Sequence, residues 1–254
     1  MTGKTIMNLQ VEAVEPVMPD MVFVRLRNVS SDPLADCRPG QFVELGLAAP
    51  GVLLNRPYSI FGASDTNLYL LVKKVGKGSE ALAAAAAGTP VTAVGPLGGS
   101  FSLSASMPLL VGGGVGIAPM VFLAREYAAR GVRPVVILGQ RSKPDPFLYE
   151  CFEDVADLVV CTDDGSAGWH GVVTSCPEFN PGAFDIVQTC GPTPMMKAVG
   201  AAAAAAGVRC EVSLENRMAC GLGACLCCVQ DMADGARKCV CTEGPVFNYK
   251  EVKW

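Results

Sequence analysis

The pattern of the chain changes once, near residue 105, and that change limits its architecture more than any other feature. From Thr5 to about Leu103 the apolar stretches are short, β-branched or aromatic, and divided by turn residues: MVFVRLRN, QFVELGL after CRPG, NLYLLVKKV, TPVTAVGPLGG. Regularly spaced short strands of this kind predict an antiparallel barrel or sandwich. One helix is expected to interrupt them at Ser79–Ala87, where alanines follow Glu80 and Gly88 supplies a stop. From Met107 the text alternates. MPLLVGGG reads as strand into glycine loop, Ile117–Arg130 as helix ending before Gly131, RPVVILG as strand, PFLYECFEDVA as helix, and LVVCTDD as strand. FDIVQTCG is the next strand, and Thr193–Ala206 a helix closed by Gly207. Strands alternating with helices predict a parallel sheet with crossover helices. The tail from Cys210 to Trp254 opens with one more strand, CEVSLE, and otherwise reads as cysteine and loop. The expected division is a β-barrel over 1–104, an α/β unit over 105–209 and a small cysteine-rich unit over 210–254.

Charge and hydropathy exclude several classes. Lys plus Arg number 20 against 24 Asp plus Glu, a net charge of −4, with no basic run. That argues against the positive stripe that nucleic-acid binding needs. No charged residue lies between Glu80 and Arg125. Gly88, Pro90, Gly95, Pro96, Gly98, Gly99 and Pro108 break that stretch, so it reads as turns and short elements, not as a membrane span. The first residues, MTGKTIMNLQVEAVEP, lack the apolar region of a secretory signal, and a cytoplasmic protein is expected. In a reducing compartment the 12 cysteines would be metal ligands or bystanders, not disulfides. Cys37, Cys151, Cys161, Cys176, Cys190 and Cys210 stand singly and read as small buried hydrophobes.

The other six crowd into Cys220–Cys241. Cys220, Cys225 and Cys228 form C-x4-C-x2-C, the plant-type iron-sulfur spacing in which one tight loop wraps a [2Fe-2S] core and a fourth thiolate arrives from elsewhere. Gly221 and Gly223 let the backbone curl without a Cβ in the way. Zinc is the rival, although it favours two separated C-x2-C knuckles. Cys225 completes the x4 spacing and Cys241 leads directly into TEGP, which leaves Cys227 and Cys239 as spare thiols.

VGGGVGIAP, residues 111–119, follows an apolar strand and opens a helix, where amide groups and the helix start hold a pyrophosphate. It departs from G-x-G-x-x-G at Ile117; a tight structural turn would look similar. CGPTPMMKAV, residues 190–199, lies beyond another strand's carboxyl end, where open α/β sheets bind ligands. RPYSI (56–60) and VKKVGKGSEAL (72–82) supply a fixed cation, hydroxyls and a glycine turn before a helix, suited to a second pyrophosphate. Taken alone, Arg56 reads first as a buried arginine paired with a local acid. His170, in GSAGWHG, reads as a surface residue. No catalytic residue is expected, because cofactors would carry the chemistry.

RPYSI, GKGS, GPLGGSF, VGGGVGIAP and CGPTPMM together resemble the flavin and nicotinamide motifs of the ferredoxin-NADP reductase superfamily. With LENRMACGLGACLCCV and VCTEGPVF, the chain from about Val11 to Val252 is similar to the electron-transfer subunits of NAD-dependent (type B) dihydroorotate dehydrogenases. The resemblance implies FAD on the barrel, contacted by Arg56, Pro57, Tyr58, Ser59, Leu71, Val72, Lys73, Gly78 and Ser79. It implies NAD at Gly112, Gly113, Gly114, Gly116 and Pro119 and at Cys190, Gly191, Pro192 and Met195. It implies [2Fe-2S] ligation by Cys220, Cys225, Cys228 and Cys241. Arg141 and Lys143 in QRSKPD keep NADP open beside NAD. The extra thiols Cys227 and Cys239 leave room for a slip in ligand assignment.

The implied activity is a relay from an FMN-containing, dihydroorotate-oxidising partner subunit through [2Fe-2S] and FAD to NAD, in a heterotetramer serving pyrimidine biosynthesis. This chain is too short to add that partner's barrel, which takes about 250 residues. The partner is expected to dock near the cluster, against apolar residues such as GPVFNY. The alternatives are a subunit of a related NAD(P)H:ferredoxin or sulfur-reducing oxidoreductase, and a zinc-binding interaction protein on a reductase scaffold.

Overall fold

Alternation of apolar side chains builds the first half of the molecule. The computed structural model of the chain describes residues 5–30, 34 and 36–254. Strands β1 (Thr5–Met18), β2 (Met21–Asn28), β3 (Phe42–Leu47), β4 (Arg56–Ala63), β5 (Asn67–Lys73) and β6 (Pro90–Leu97) close into an antiparallel barrel ordered β1-β2-β5-β4-β3-β6. Every second residue points inward. Val22, Val24 and Leu26 of β2 meet Val43 and Leu45 of β3 and Leu70 of β5 in the barrel core. Each such buried side chain is worth about 1.5–3 kcal/mol of transfer free energy.

Helix α1 (Lys77–Ala83) follows β5 and stops four residues before the expected end at Ala87. The reason is tertiary. The next residues turn back to pair with β1: the Gly88 amide donates to the Val11 carbonyl at 2.8 Å, and the Val11 amide to Thr89 at 2.9 Å.

The second half adds β7 (Pro108–Gly113), α2 (Ile117–Ala128), β8 (Val135–Gln140), α3 (Pro146–Glu150), β9 (Asp157–Thr162), β10 (Trp169–His170), β11 (Ile186–Cys190), α4 (Thr193–Ala205) and β12 (Arg209–Ser213). The tail adds β13 (Val229–Asp231), β14 (Arg237–Cys239), α5 (Val240–Glu243) and β15 (Val246–Asn248). The large sheet runs β10-β9-β8-β7-β11-β12-β15, parallel except for β15, which pairs antiparallel with β12. Leu109 and Val111 of β7 face α4 and the tail, while Leu110 faces α2 and the barrel. The sheet is therefore buried on both sides, as parallel sheets require.

Two expectations change. The helix foreseen over PFLYECFEDVA is only α3; beyond Glu150 the chain turns, because Arg133 gathers the carbonyls of Glu153, Asp154 and Ala156 and its Nε meets Asp157 at 2.7 Å. The tail is not mere loop. A two-stranded sheet of β13 and β14 and the added strand β15 tie it to the core, and a boundary between 209 and 210 falls inside β12. Gly200 of α4 explains one anchor: a Cβ there would stand 2.0 Å from the Tyr249 ring. Among the described residues no helix is long and apolar enough to cross a membrane.

Candidate functional site

The cysteine loop lies in a seam between barrel and sheet. Cys228 and Cys241 are buried in the core shared by Phe42 and Leu97 of the barrel and Val212 and Met196 of the sheet unit. Cys220 is half-buried, and Cys225 and Cys227 are exposed. The thiols fall into two pairs. Cys220 lies within hydrogen-bonding reach of Cys225, and the amides of Leu222, Cys225 and Ala224 bring its thiol down to about 6. The Leu222 amide stands 3.3 Å from its Sγ. Cys241 is paired with Cys228, whose Sγ accepts from the Cys241 amide at 3.5 Å; burial and then Cys228 push the Cys241 thiol up to about 12. Cys239 also approaches Cys228, with its Sγ 4.0 Å from the Gly223 carbonyl, but is only half-buried.

Among the described residues no three His, Cys, Asp or Glu side chains converge on one point as the ligands of a single ion would. Two pairs suit two irons, each bound by two thiolates. The loop between them needs glycine. Gly221 sits at φ +64, where a Cβ would come within 2.8 Å of Glu44 Cγ and Leu97 Cδ1, and Gly223 sits at φ +82. Leu226 holds φ 55, a left-handed conformation that costs a leucine roughly 1–2 kcal/mol and persists only where surroundings impose it.

On the barrel, the start of β4 meets the start of α1. The Arg56 side chain runs along Gly78, where a Cβ would stand 3.0 Å from Arg56 Cγ and Nε. Arg56 donates to the carbonyls of Leu54 at 2.7 Å and Asn55 at 3.1 Å, and among the described residues it makes no ion pair. Its Nη1 is engaged by those carbonyls, and its charge acts on the nearby Glu44 carboxyl without a direct ion pair. Ser79 Oγ accepts the amides of Val75 and Gly76 at 2.9 and 3.2 Å, which fixes the turn. Pro57 and Ser59 are half-buried. Tyr58 is too; burial, partly countered by Arg56, raises its phenol to about 12. Leu71 and Val72 bury their side chains, and Lys73 pairs with Asp20 at 3.4 Å, so β5 offers chiefly backbone to a ligand.

In the sheet unit the two loops of interest come together. Gly113 lies against Met195 and Pro192, where a Cβ would be 2.6 Å from Met195 Sδ. Gly116 lies against Cys190, with the virtual Cβ 2.5 Å from its carbonyl oxygen, and Gly191 against the Gly113 backbone. Gly112 abuts Ile117. Gly114, at φ +55, faces open space, and its carbonyl accepts from Gln140 Nε2 at 3.3 Å. Pro119 is buried in the first turn of α2. These contacts bring the two glycine-bearing loops against each other at the carboxyl ends of β7 and β11, with Gly114 facing open space.

A family model described as the iron-sulfur cluster binding domain of dihydroorotate dehydrogenase B matches residues 215–253. The electron transfer subunit of dihydroorotate dehydrogenase B (NAD(+)) from Caldanaerobacter subterraneus subsp. tengcongensis is 39% identical over 218 residues, 84% of this chain and 86% of that protein. The chain belongs to this family. The corresponding electron transfer subunit of Bacillus caldolyticus is 40% identical over 224 residues, 85% of this chain and 86% of its own length. A solved structure of an NADH-dependent reduced ferredoxin-NADP oxidoreductase superposes with a TM-score of 0.83 at 32% identity, over 100% of this chain and 92% of that one.

Within this electron transfer subunit family, three features of the chain escaped sequence reasoning. The GPVFNY segment, expected to face a partner, is packed inside: Phe247 is 5% exposed, and Gly98 lies against Gly244 and Pro245. The apolar groups actually displayed beside the cysteines are Leu222 and Leu226, 54% and 63% exposed. Asp164 forms a turn with Ser166, whose Oγ accepts the Lys143 amide at 2.7 Å; hydrogen bonds from Ser166 and Ser142 bring the Asp164 carboxyl down to about 2. Glu44, inside QFVELGL, is 1% exposed with neither carboxylate oxygen hydrogen-bonded. The lone charge in that apolar strand was the available signal.

Proposed function

We propose that this chain is the electron-transfer subunit of an NAD-linked dihydroorotate dehydrogenase. Electrons from an FMN-containing, dihydroorotate-oxidising catalytic subunit pass singly through a [2Fe-2S] cluster to FAD and leave as hydride to NAD, in the cytoplasmic synthesis of pyrimidines. The observation that carries this reading is the seam itself: two thiol pairs lie between the barrel edge at β3 and β6 and the large sheet.

Cys220 with Cys225, and Cys228 with Cys241, would hold the two irons; Cys227 and Cys239 would be the spare thiols, although Cys239 also approaches Cys228. A zinc site would instead ask four donors to converge on one ion. Arg56, unpaired, would hold the FAD pyrophosphate beside Gly78 and Ser79, and Pro57, Tyr58, Ser59 and the β5 backbone would orient the flavin. The loop of Gly112, Gly113, Gly114 and Gly116 against Cys190, Gly191, Pro192 and Met195 would take NAD, with Pro119 shaping the helix start. The acidic turn at Asp164 beside Lys143 favours the 2′-hydroxyl of NAD over a 2′-phosphate, which it would repel. Units of 1–104, 105–213 and 214–254 follow once β12 is kept whole. Leu222 and Leu226 would dock the catalytic subunit, two copies of each making a heterotetramer.

The test is reconstitution with an FMN-containing dihydroorotate-oxidising subunit. Dihydroorotate-dependent formation of NADH supports the reading. Likeness to the ferredoxin-NADP oxidoreductase favours one rival, and NADH-dependent ferredoxin reduction without such a subunit would replace the proposal with it.

A further inference from the structure

Among the described residues, Glu44 is the one buried carboxylate with no counterpart in the site described so far. It lies on β3 between Val43 and Leu45, whose side chains fill the barrel, so its own side chain points outward, as Phe42 does, toward the seam. It is 1% exposed, and neither oxygen has a hydrogen-bond partner in the protein. Its neighbour across the seam is the cysteine loop: the Gly221 backbone packs on its Cγ so closely that a Cβ would come within 2.8 Å. Arg56, the cation whose charge acts on it, is engaged with two carbonyls and forms no ion pair with it. A carboxylate buried without a partner is costly while ionised, and beside a redox centre its charge would act directly on that centre.

We propose that Glu44 sets the potential of the cluster, holding the [2Fe-2S] site at a lower midpoint than its four thiolates and loop amides alone would give. The inference rests on the cluster assignment above. Reduction adds a negative charge to the cluster, and a neighbouring carboxylate opposes it; net charge and hydrogen bonds to the sulfurs are the protein's levers on such potentials. The effect would make the reduced cluster a stronger donor to the flavin. Glu44 is a positioning residue for electrons in this role, not a group that touches a substrate.

The experiment is a redox titration of the purified full chain at pH 8.5, followed by the visible and electron paramagnetic resonance signals of the cluster, for the natural protein, Glu44→Gln, Glu44→Asp and Glu44→Asn. Glu44→Gln should raise the reduced-to-oxidised ratio of the cluster about tenfold at fixed ambient potential, about 59 mV for a one-electron couple. Glu44→Asp should stay near the natural midpoint, and Glu44→Asn should shift like Glu44→Gln. If Glu44→Gln does not retain its cluster, the Asp and Asn pair, equal in size and different in charge, decides. Equal midpoints across charged and neutral variants with intact cluster spectra overturn the proposal. Absence of any [2Fe-2S] spectrum in the natural protein overturns the cluster assignment itself, a separate outcome.

Discussion

The glycine loops of the sheet unit and the cysteine seam both depend on glycine, but they are held in different ways. Gly112, Gly113 and Gly116 permit close approach between neighbouring elements of one sheet, β7, α2 and β11. Gly221 and Gly98 permit approach between the tail and the barrel, elements about 125–175 residues apart in the chain. The loop pairing is thus a local product of a regular fold. The seam exists only when barrel, sheet and tail are all in place, so damage there should reach both the cluster and the flavin side.

Ligand substitutions should separate the two regions most sharply. Cys228→Ser and Cys241→Ser should abolish the cluster absorbance while NADH still binds, whereas Cys227→Ser should keep it; equal loss in all three would mean the thiol pairs are assigned wrongly. In the glycine loops, Gly116→Ala drives a Cβ to 2.5 Å from backbone of Cys190. We expect a loss of about 1–3 kcal/mol in stability, as for other forced overpacking, and at least about tenfold weaker NADH binding by fluorescence titration, with the cluster spectrum preserved.

The seam should also show in pH dependence. Burial, reinforced by Cys220 and countered by Arg56, raises the Glu44 carboxyl from 4.5 to about 7. The folded chain therefore holds a proton between these values that the unfolded chain releases, and stability falls as pH rises through that window. Glu44→Gln removes the dependence. Its thermal midpoint should overtake that of the natural protein between pH 5 and 8, with a difference on the order of 2–3 kcal/mol at the upper end. A gap that narrows with rising pH would show that Glu44 gains a partner in the assembled seam. The smallest effect is at Leu226: Leu226→Gly relieves the left-handed backbone but frees the unfolded chain, and should stabilise the loop by no more than about 1 kcal/mol.

The barrel, the parallel sheet and the glycine loops were legible because each rests on a local pattern: period-two strands, a strand running into a glycine loop, a helix closed by glycine. The cysteine spacing carried the metal chemistry for the same reason. What stayed hidden depends on distant partners. Nothing in VFN marks it as a strand until β12 offers an edge at Val212, and nothing in PLGG shows that Gly98 must admit Pro245. Glu44 looked like an ordinary charge in a strand because its environment is made by Gly221, far along the chain. Helix ends failed at Ala83 and Glu150, where long-range hydrogen bonds outweighed the alanines after the first and the continuing apolar spacing after the second.

The central claim is that the two thiol pairs of the seam hold a [2Fe-2S] cluster in electronic contact with the flavin. Anaerobic titration of the purified chain with NADH, read by visible bleaching and low-temperature electron paramagnetic resonance, tests it most directly. Flavin bleaching is expected together with a rhombic [2Fe-2S] signal that reaches a single spin per chain on full reduction and vanishes in Cys241→Ser. A bound zinc ion in place of iron, or a bleached flavin with no cluster signal even under stronger reductant, would contradict it.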